Sequence, residues 1–535
     1  MRLRYADRME VITQSEAKLF LSTSAEWGDV CVAQHMDGEK LNVRLRAQAT
    51  PVRFIRLRWL FSEEEKRSGI RIYGDEWERG YGNMAWHGIR PERGMPWVCA
   101  ASNGSDRNRD TEGRFTECFG VMTQPNAFCL WQYDTEGVTL WLDVRNGGEG
   151  VCLYGRMLDV CAVVMAEYRD QSAFAALKAF YHTLCPNPLK ADHKIYGSNN
   201  WYYAYGRSSH EEILADTEFV ASLCTDAGNP PYMVIDDGWQ PNPCDGPWHI
   251  GNERFPDMKA LCEQMKARGV RTGIWIRYLR DLAKQTEGIA PEMRSMRDPE
   301  FLDPSHPAVL QKVVEDTRRL TQEWGYQLIK HDFSTYDVFG FWGCQRGGFM
   351  ATEGWHFYDR TKTTAEIILN LYRTIREAAG EQTILLGCNV VGHLAAGLVH
   401  MNRTGDDTSG REWERTRKMG VNTLAFRMLH DEAFFDADAD CVGIMGIIPW
   451  SLNREWLKAL AASGTPLFVS SKLDVPDEAM IADLKKAFAR SAMQEDTLIP
   501  LDWMENSCPE NWLLNGEEVH FCWYPAEGAG IESIL

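Results

Sequence analysis

The chain has 535 residues, too many for one ordinary domain and enough for a barrel with one or two companions. Its composition, 44% hydrophobic and 25% charged, is that of a soluble globular protein. The formal net charge of -19 repels phosphate backbones, which excludes nucleic-acid binding as a main role and leaves a neutral substrate acceptable.

The opening MRLRYADRME lacks the apolar core of a signal peptide, and no uninterrupted apolar run is long enough to span a bilayer. The 15 cysteines are scattered, odd in number and without a C-x-x-C, a pattern that fits reduced thiols and predicts a cytoplasmic location. Neither H-E-x-x-H nor paired-cysteine spacing occurs, so no metal and no cofactor is expected. The 20 tryptophans suit stacking on the C–H faces of sugars, although most such rings fill cores.

Residues 1–185 are rich in short alternating runs, such as Leu41-Asn42-Val43-Arg44-Leu45 and Val138-Thr139-Leu140-Trp141-Leu142, separated by Gly, Asn and Asp clusters. This predicts antiparallel sheets with one wet face, as in a β-sandwich. A helix is predicted over Ala173–Leu184, leading into the linker Cys185-Pro186-Asn187-Pro188. From about Lys194 short apolar strands alternate with amphipathic helices. Strands are expected at 231–235, 270–276, 326–330 and 383–387, and another leads to Arg403. Helices are expected at 257–268, 308–324 and Thr364–Ala379. Further strand units are expected at 424–426 and 465–470, and a closing helix at 479–488. Such repetition means a parallel sheet, doubly wound or closed; about eight units fit a (β/α)8 TIM barrel over 186–490 better. Strand-like runs at 498–503, 512–514 and 519–524 predict a short C-terminal β domain, 491–535.

The strand C-termini of such a barrel form its active face. In order they present Asn199-Asn200-Trp201, Asp236-Asp237-Gly238-Trp239, Trp275 with Arg277, Lys330-His331-Asp332, Cys388-Asn389, and Arg403 followed by Asp406-Asp407. Singly these are weak: a paired Asp is most often a turn or cap, a lone Trp is packing, and Lys330 with Asp332 or Arg403 with Asp407 makes an ordinary ion pair. Together they put many charges at one mouth, which is costly without a purpose. Two carboxylates from different strands point to glycoside hydrolysis, one attacking the anomeric carbon and one protonating the leaving oxygen. Lys330, two residues before Asp332 and on its side of the strand, is expected to keep Asp332 ionised. Asp406 is expected to raise the pKa of Asp407.

The segments Val234–Gln240 (VIDDGWQ), Phe255-Pro256-Asp257-Met258-Lys259, Gly273-Ile274-Trp275-Ile276, Ile329-Lys330-His331-Asp332-Phe333, Gly387-Cys388-Asn389 and Met401–Thr408 (MNRTGDDT) resemble glycoside hydrolase family 36 in order and spacing. Gly74–Gly82 (GDEWERGYG) is similar to a segment of that family's N-terminal β-sandwich. The resemblance implies a retaining mechanism on α-galactosides, with Asp332 as nucleophile and Asp407, four residues after Arg403, as acid/base. It implies that Asp236 and Asp237 hold O4 and O6, that Lys330 binds sugar hydroxyls beside the nucleophile, and that Arg403 and Cys388 lie near O2. Trp201 and Trp275 would wall the pocket. Two departures stand out: Arg277 where the family often has an acidic residue, and Phe333-Ser334-Thr335 after the nucleophile in place of Asn-Arg. The implied partner is an α-galactoside, with no nucleic acid and no membrane, and with a homo-oligomer left open.

Several readings compete. An α-N-acetylgalactosaminidase or a galactosyl transferase of the raffinose-synthesis type would keep both aspartates, and α-glucosides and β-L-arabinopyranosides are further substrates of related barrels. A glycan-binding protein on a decayed enzyme fold would have lost a carboxylate, and both are present. A metal-dependent barrel would use His331, His393 or His430, none of which has ligand spacing.

Overall fold

The computed structural model describes residues 1–104, 106, 110–224, 228–282, 289–493, 496–525 and 528. Two antiparallel sheets come first. One has six strands in the order Ala17–Phe20, Arg8–Thr13, Val52–Leu60, Gly137–Asp143, Phe128–Asp134 and Met95–Pro96. The other has seven, in the order Ser24–Trp27, Val30–Asp37, Lys40–Ala47, Met157–Arg169, Phe115–Val121, Val98–Ser102 and Arg71–Gly74. Apolar residues at every second position cause this: in Lys40–Ala47, Leu41, Val43, Leu45 and Ala47 are buried while Arg44 and Arg46 are exposed. Phe119 of the second sheet lies 6.0 Å from Trp131 and 6.2 Å from Tyr133 of the first, so the inner faces pack together. Helix Ala173–Leu184, capped by Ser172, covers the outer face of the seven-stranded sheet.

A nine-stranded parallel sheet follows: β1 (Tyr196–Asn199), β2 (Tyr232–Ile235), β3 (Arg271–Ile276), β4 (Leu328–His331), β5 (Ile384–Gly387), β6 (Met401–Arg403), β7 (Asp436–Asp438), β8 (Cys441–Ile444) and β9 (Leu467–Ser471). Its order is β7-β6-β5-β4-β3-β2-β1-β9-β8. The edge strands β7 and β8 are separated in sequence by Ala439 and Asp440 alone, so the sheet curls until its edges meet. Alternation along each strand then divides two cores. Tyr232, Val234, Leu328, Leu386, Met401 and Phe468 form an inner cluster, while Met233, Ile235, Ile329 and Leu385 join the outer one. Helices cover the outside, including Met258–Ala267, capped by Asp257, and Thr364–Ala379, closed by a Thr363/Glu366 capping box.

Three expectations need correction. Residues 424–426 are not a strand but part of helix Thr423–Arg427; a short apolar run carries no period that separates the two. The strands β7 and β8 went unanticipated: Asp-Ala-Asp carries no apolar signal, and β8 is a run of only four residues. The helix expected over 308–324 is α-helical over Pro307–Arg318 and continues as a π-turn over Arg319–Glu323. Near the C-terminus Leu498–Pro500, Asn511–Leu514 and Glu517–His520 form a three-stranded antiparallel sheet. The end of the 491–535 segment, residues 529–535, lies outside the described residues. Among the described residues no helix is long and apolar enough to cross a membrane.

One buried knot ties the first sheets to the parallel one. Asp75, just after Arg71–Gly74, accepts from Arg427 at 2.9 Å, His430 at 2.8 Å and Tyr181 at 3.2 Å. Burial pushes its carboxyl up, but Arg427 and His430 outweigh this and hold it well below the usual range. Asp75→Ala leaves the Arg427 guanidinium buried and uncompensated. The expected loss is about 3–5 kcal/mol, read as a lower midpoint in urea; an unchanged midpoint contradicts it.

Candidate active site

The C-terminal ends of the parallel strands bring together all nine residues singled out by the sequence. Asp236 and Asp237 follow β2, Trp275 lies in β3, Lys330 in β4 with Asp332 directly after it, and Cys388 follows β5. Arg403 ends β6, Asp407 lies four residues on, and Trp201 opens a short helix after β1. Trp275 and Lys330 are paired across β3 and β4, so they point to the same side. All nine are buried except Trp201 and Asp407, which are partly exposed.

Asp332 is held by three uncharged donors. Trp275 Nε1 donates to its Oδ2 at 2.9 Å; Asn389 Nδ2 and the Phe333 N–H donate to its Oδ1 at 2.5 and 2.7 Å. Phe333 and Asn389 both sit in the left-handed region, with φ of 66° and 56°, a strain characteristic of functional turns. Lys330 does not pair with Asp332 as expected. Its Nζ lies 2.6 Å from Asp236 Oδ2, across the intervening β3. Burial disfavours the ammonium, but Asp236, with lesser help from Cys388 and Asp332, holds the Lys330 pKa well above its ordinary value. Asp236 also accepts from Asn199 Nδ2 at 2.7 Å, and Asp237 accepts from the Cys244 N–H at 2.9 Å and from Gln240.

Asp407 meets Trp201 Nε1 at 3.2 Å on Oδ2 and Arg403 Nη2 at 3.3 Å on Oδ1. Here the expected shift is reversed. Burial raises this carboxyl, but Arg403, Arg79, Lys330 and Arg415 overcome it and bring it down to about 2. Asp406 cannot raise it, because its own charge is taken by Arg79 at 2.7 Å and Arg415 at 2.8 Å. Arg403 also reaches Asp440 Oδ2 at 2.9 Å and Cys388 Sγ at 3.7 Å. Burial, reinforced by Asp332, pushes the Cys388 thiol well up, which favours a neutral thiol beside Arg403.

Arg79 comes from the first antiparallel region. The Gly80 N–H donates to Thr404 O at 2.7 Å, and the Asp406 N–H donates to Gly80 O at 3.1 Å, forming a short parallel bridge. The bridge needs glycine at 405, where a Cβ would stand 2.1 Å from Met419 O. The segment 74–82 was legible as a motif, but nothing in it announced that Arg79 reaches the site. Asn389 and Asn199 stood at strand ends in the sequence without a role; Asp440 lies in the break between two strands that were not anticipated. Arg277, the departure after β3, forms a forked pair with the buried Asp337 at 2.6–3.1 Å and stacks 4.1 Å from the Phe333 ring, bracing the residue next to Asp332. His331 points away from this mouth, into the layer between sheet and helix, against Tyr278 and Tyr372.

No family model and no curated protein matches the chain by sequence. Solved structures match in fold. An α-galactosidase from Thermus thermophilus, in complex with p-nitrophenyl α-D-galactopyranoside, has 16% identity and a TM-score of 0.59 over 96% of this chain and 98% of that one. A family 36 α-galactosidase variant from Geobacillus stearothermophilus, in complex with stachyose, has 14% identity and a TM-score of 0.61, covering 95% and 77%. An α-galactosidase from Lactobacillus brevis has 12% identity and a TM-score of 0.60, covering 94% and 76%. At these identities the likeness establishes a shared fold.

Proposed function

We propose that this chain is a retaining α-galactosidase whose curled sheet is a (β/α)8 barrel, with β7 and β8 forming one interrupted seventh strand. In this reading residues 1–185 are the sandwich, 186–490 the catalytic barrel and 491–535 a short β domain. The observation that carries the proposal is the arrangement around Asp332. A buried carboxylate held by three N–H donors is fixed in place, and among the described residues no cation is bonded to it to blunt its attack.

Asp332 attacks the anomeric carbon as the glycosidic C–O bond breaks, and Asp407 gives its proton to the departing oxygen. A water then attacks the same carbon, returns a proton to Asp407 and frees Asp332. Asp236 and Asp237 accept from O4 and O6, with Lys330 donating beside them. Trp201 and Trp275 wall the sugar. Arg403 and the neutral Cys388 thiol leave a site at O2 suited to a free hydroxyl.

Asp407 has to acquire a proton, against the pull of Arg403 in the sugar-free site. Galactose supplies the means: its O2 hydroxyl takes up donors of Arg403, and its ring excludes water. Both changes favour the neutral acid. The pKa of Asp407 therefore rises on binding, and the alkaline limb of kcat, which reports the bound state, is expected at higher pH than that of kcat/KM. Coincident limbs contradict this account.

The first test is turnover of p-nitrophenyl α-galactoside, α-N-acetylgalactosaminide, α-glucoside and β-L-arabinopyranoside by wild type and Asp332→Ala, with a chelator present. The α-galactoside is expected to be preferred, with a loss of about 10⁴-fold or more in the variant. Preference for another sugar moves the specificity and keeps the carboxylate chemistry. Equal rates for variant and wild type overturn the assignment of Asp332.

A further inference from the structure

Asp440 stands in the two-residue break between β7 and β8, at φ 69°, with its N–H donating to Asp438 Oδ1 at 2.9 Å. Its side chain is buried. Its Oδ2 accepts from the Thr408 N–H at 2.8 Å, the Thr408 hydroxyl at 3.1 Å and the Tyr202 hydroxyl, and forms an ion pair with Arg403 Nη2 at 2.9 Å. Each donor lies one step from Asp407. Thr408 follows it in the chain, and Arg403 Nη2 also reaches its Oδ1 at 3.3 Å. Tyr202 follows Trp201, whose Nε1 donates to its Oδ2 at 3.2 Å.

We propose that Asp440 is the positioning residue of Asp407: it anchors the acid's loop and both of its side-chain partners, and it is the counterion that shares the charge of Arg403. This rests on the glycosidase reading and extends it to a residue that touches no reacting atom. Among the described residues the charges facing Asp407 are Arg403 at the end of β6, Asp406 and Arg415 in the following loop and helix, Lys330 from β4, Arg79 from the antiparallel region and Asp440 itself. Trp201 adds a neutral donor. Each cation already has a carboxylate closer to it than Asp407 is to Arg403. Arg79 and Arg415 are 2.7 and 2.8 Å from Asp406, Lys330 is 2.6 Å from Asp236, and Arg403 is 2.9 Å from Asp440. Removing the charge of Asp440 turns the nearest of these cations fully onto Asp407, favours the carboxylate and leaves less of the acid protonated.

The test compares pH profiles of wild type, Asp440→Asn and Asp440→Glu on two substrates. One is an α-1,6-galactosyl disaccharide, whose leaving sugar needs a proton; the other is α-galactosyl fluoride, whose leaving group needs none. For Asp440→Asn the alkaline limb of kcat on the disaccharide is expected to fall by about one pH unit, with a loss of about tenfold at neutral pH, while the fluoride rate changes little. Asp440→Glu keeps the charge and is expected to keep the limb. Because φ at 440 suits glycine, Asp440→Gly provides a second route if the asparagine variant fails to fold; added formate is expected to restore its limb and its disaccharide rate. An unmoved limb in folded Asp440→Asn, an equal loss on both substrates, or an Asp440→Gly enzyme indifferent to formate overturns the proposal. Wild-type inactivity on both galactosides overturns the glycosidase reading instead.

Discussion

The mouth of the parallel sheet is organised by one electrostatic constraint: among the described residues, the cations near it are claimed by carboxylates other than Asp332. Lys330 goes to Asp236, Arg79 and Arg415 to Asp406, Arg277 to Asp337, and Arg403 is shared between Asp440 and Asp407. Buried charges are tolerable only when paired, and pairing fixes where each one stands. Asp332 is instead held by Trp275, Asn389 and the Phe333 N–H, all neutral, and among the described residues Asp237 likewise has only neutral donors, from Gln240 and Cys244. Asp332 thus differs from its ion-paired neighbours in bonding partners and not in residue type.

The fold exists to keep those partners in register. Parallel strands aim alternate residues inward, so Lys330 and Asp332 share a side while His331 packs outside. The antiparallel region adds more than a lid: through the Gly80–Gly405 bridge it delivers Arg79, and through Asp75 it is locked to Arg427 and His430. The left-handed residues Phe333, Asn389 and Asp440 are held in conformations that cost energy, and each bears on one of the two carboxylates.

Much of this was legible where local physics decides. Helix Thr364–Ala379 has the bounds its apolar period and capping box dictate, and the strand-end residues lie where strict alternation puts them. Pairing was not legible. Sequence proximity offered Lys330 to Asp332, whereas the bond spans two strands to Asp236. The same locality placed Asp406 as the group raising Asp407, when Arg79, more than three hundred residues earlier, had already neutralised it. β7 hid because two aspartates in a three-residue strand carry no apolar signal, and Asp440 hid with it.

In the proposed mechanism Asp332 is the group that bonds to the sugar. The most direct measurement is intact-mass and peptide-mapping mass spectrometry after incubation with 5-fluoro-α-galactosyl fluoride, which forms a glycosyl-enzyme quickly and loses it slowly. One 5-fluorogalactosyl adduct per chain, mapped to Asp332 and absent from Asp332→Ala, is the predicted result. An adduct on a different carboxylate, or steady turnover of the reagent with no adduct, would contradict the claim.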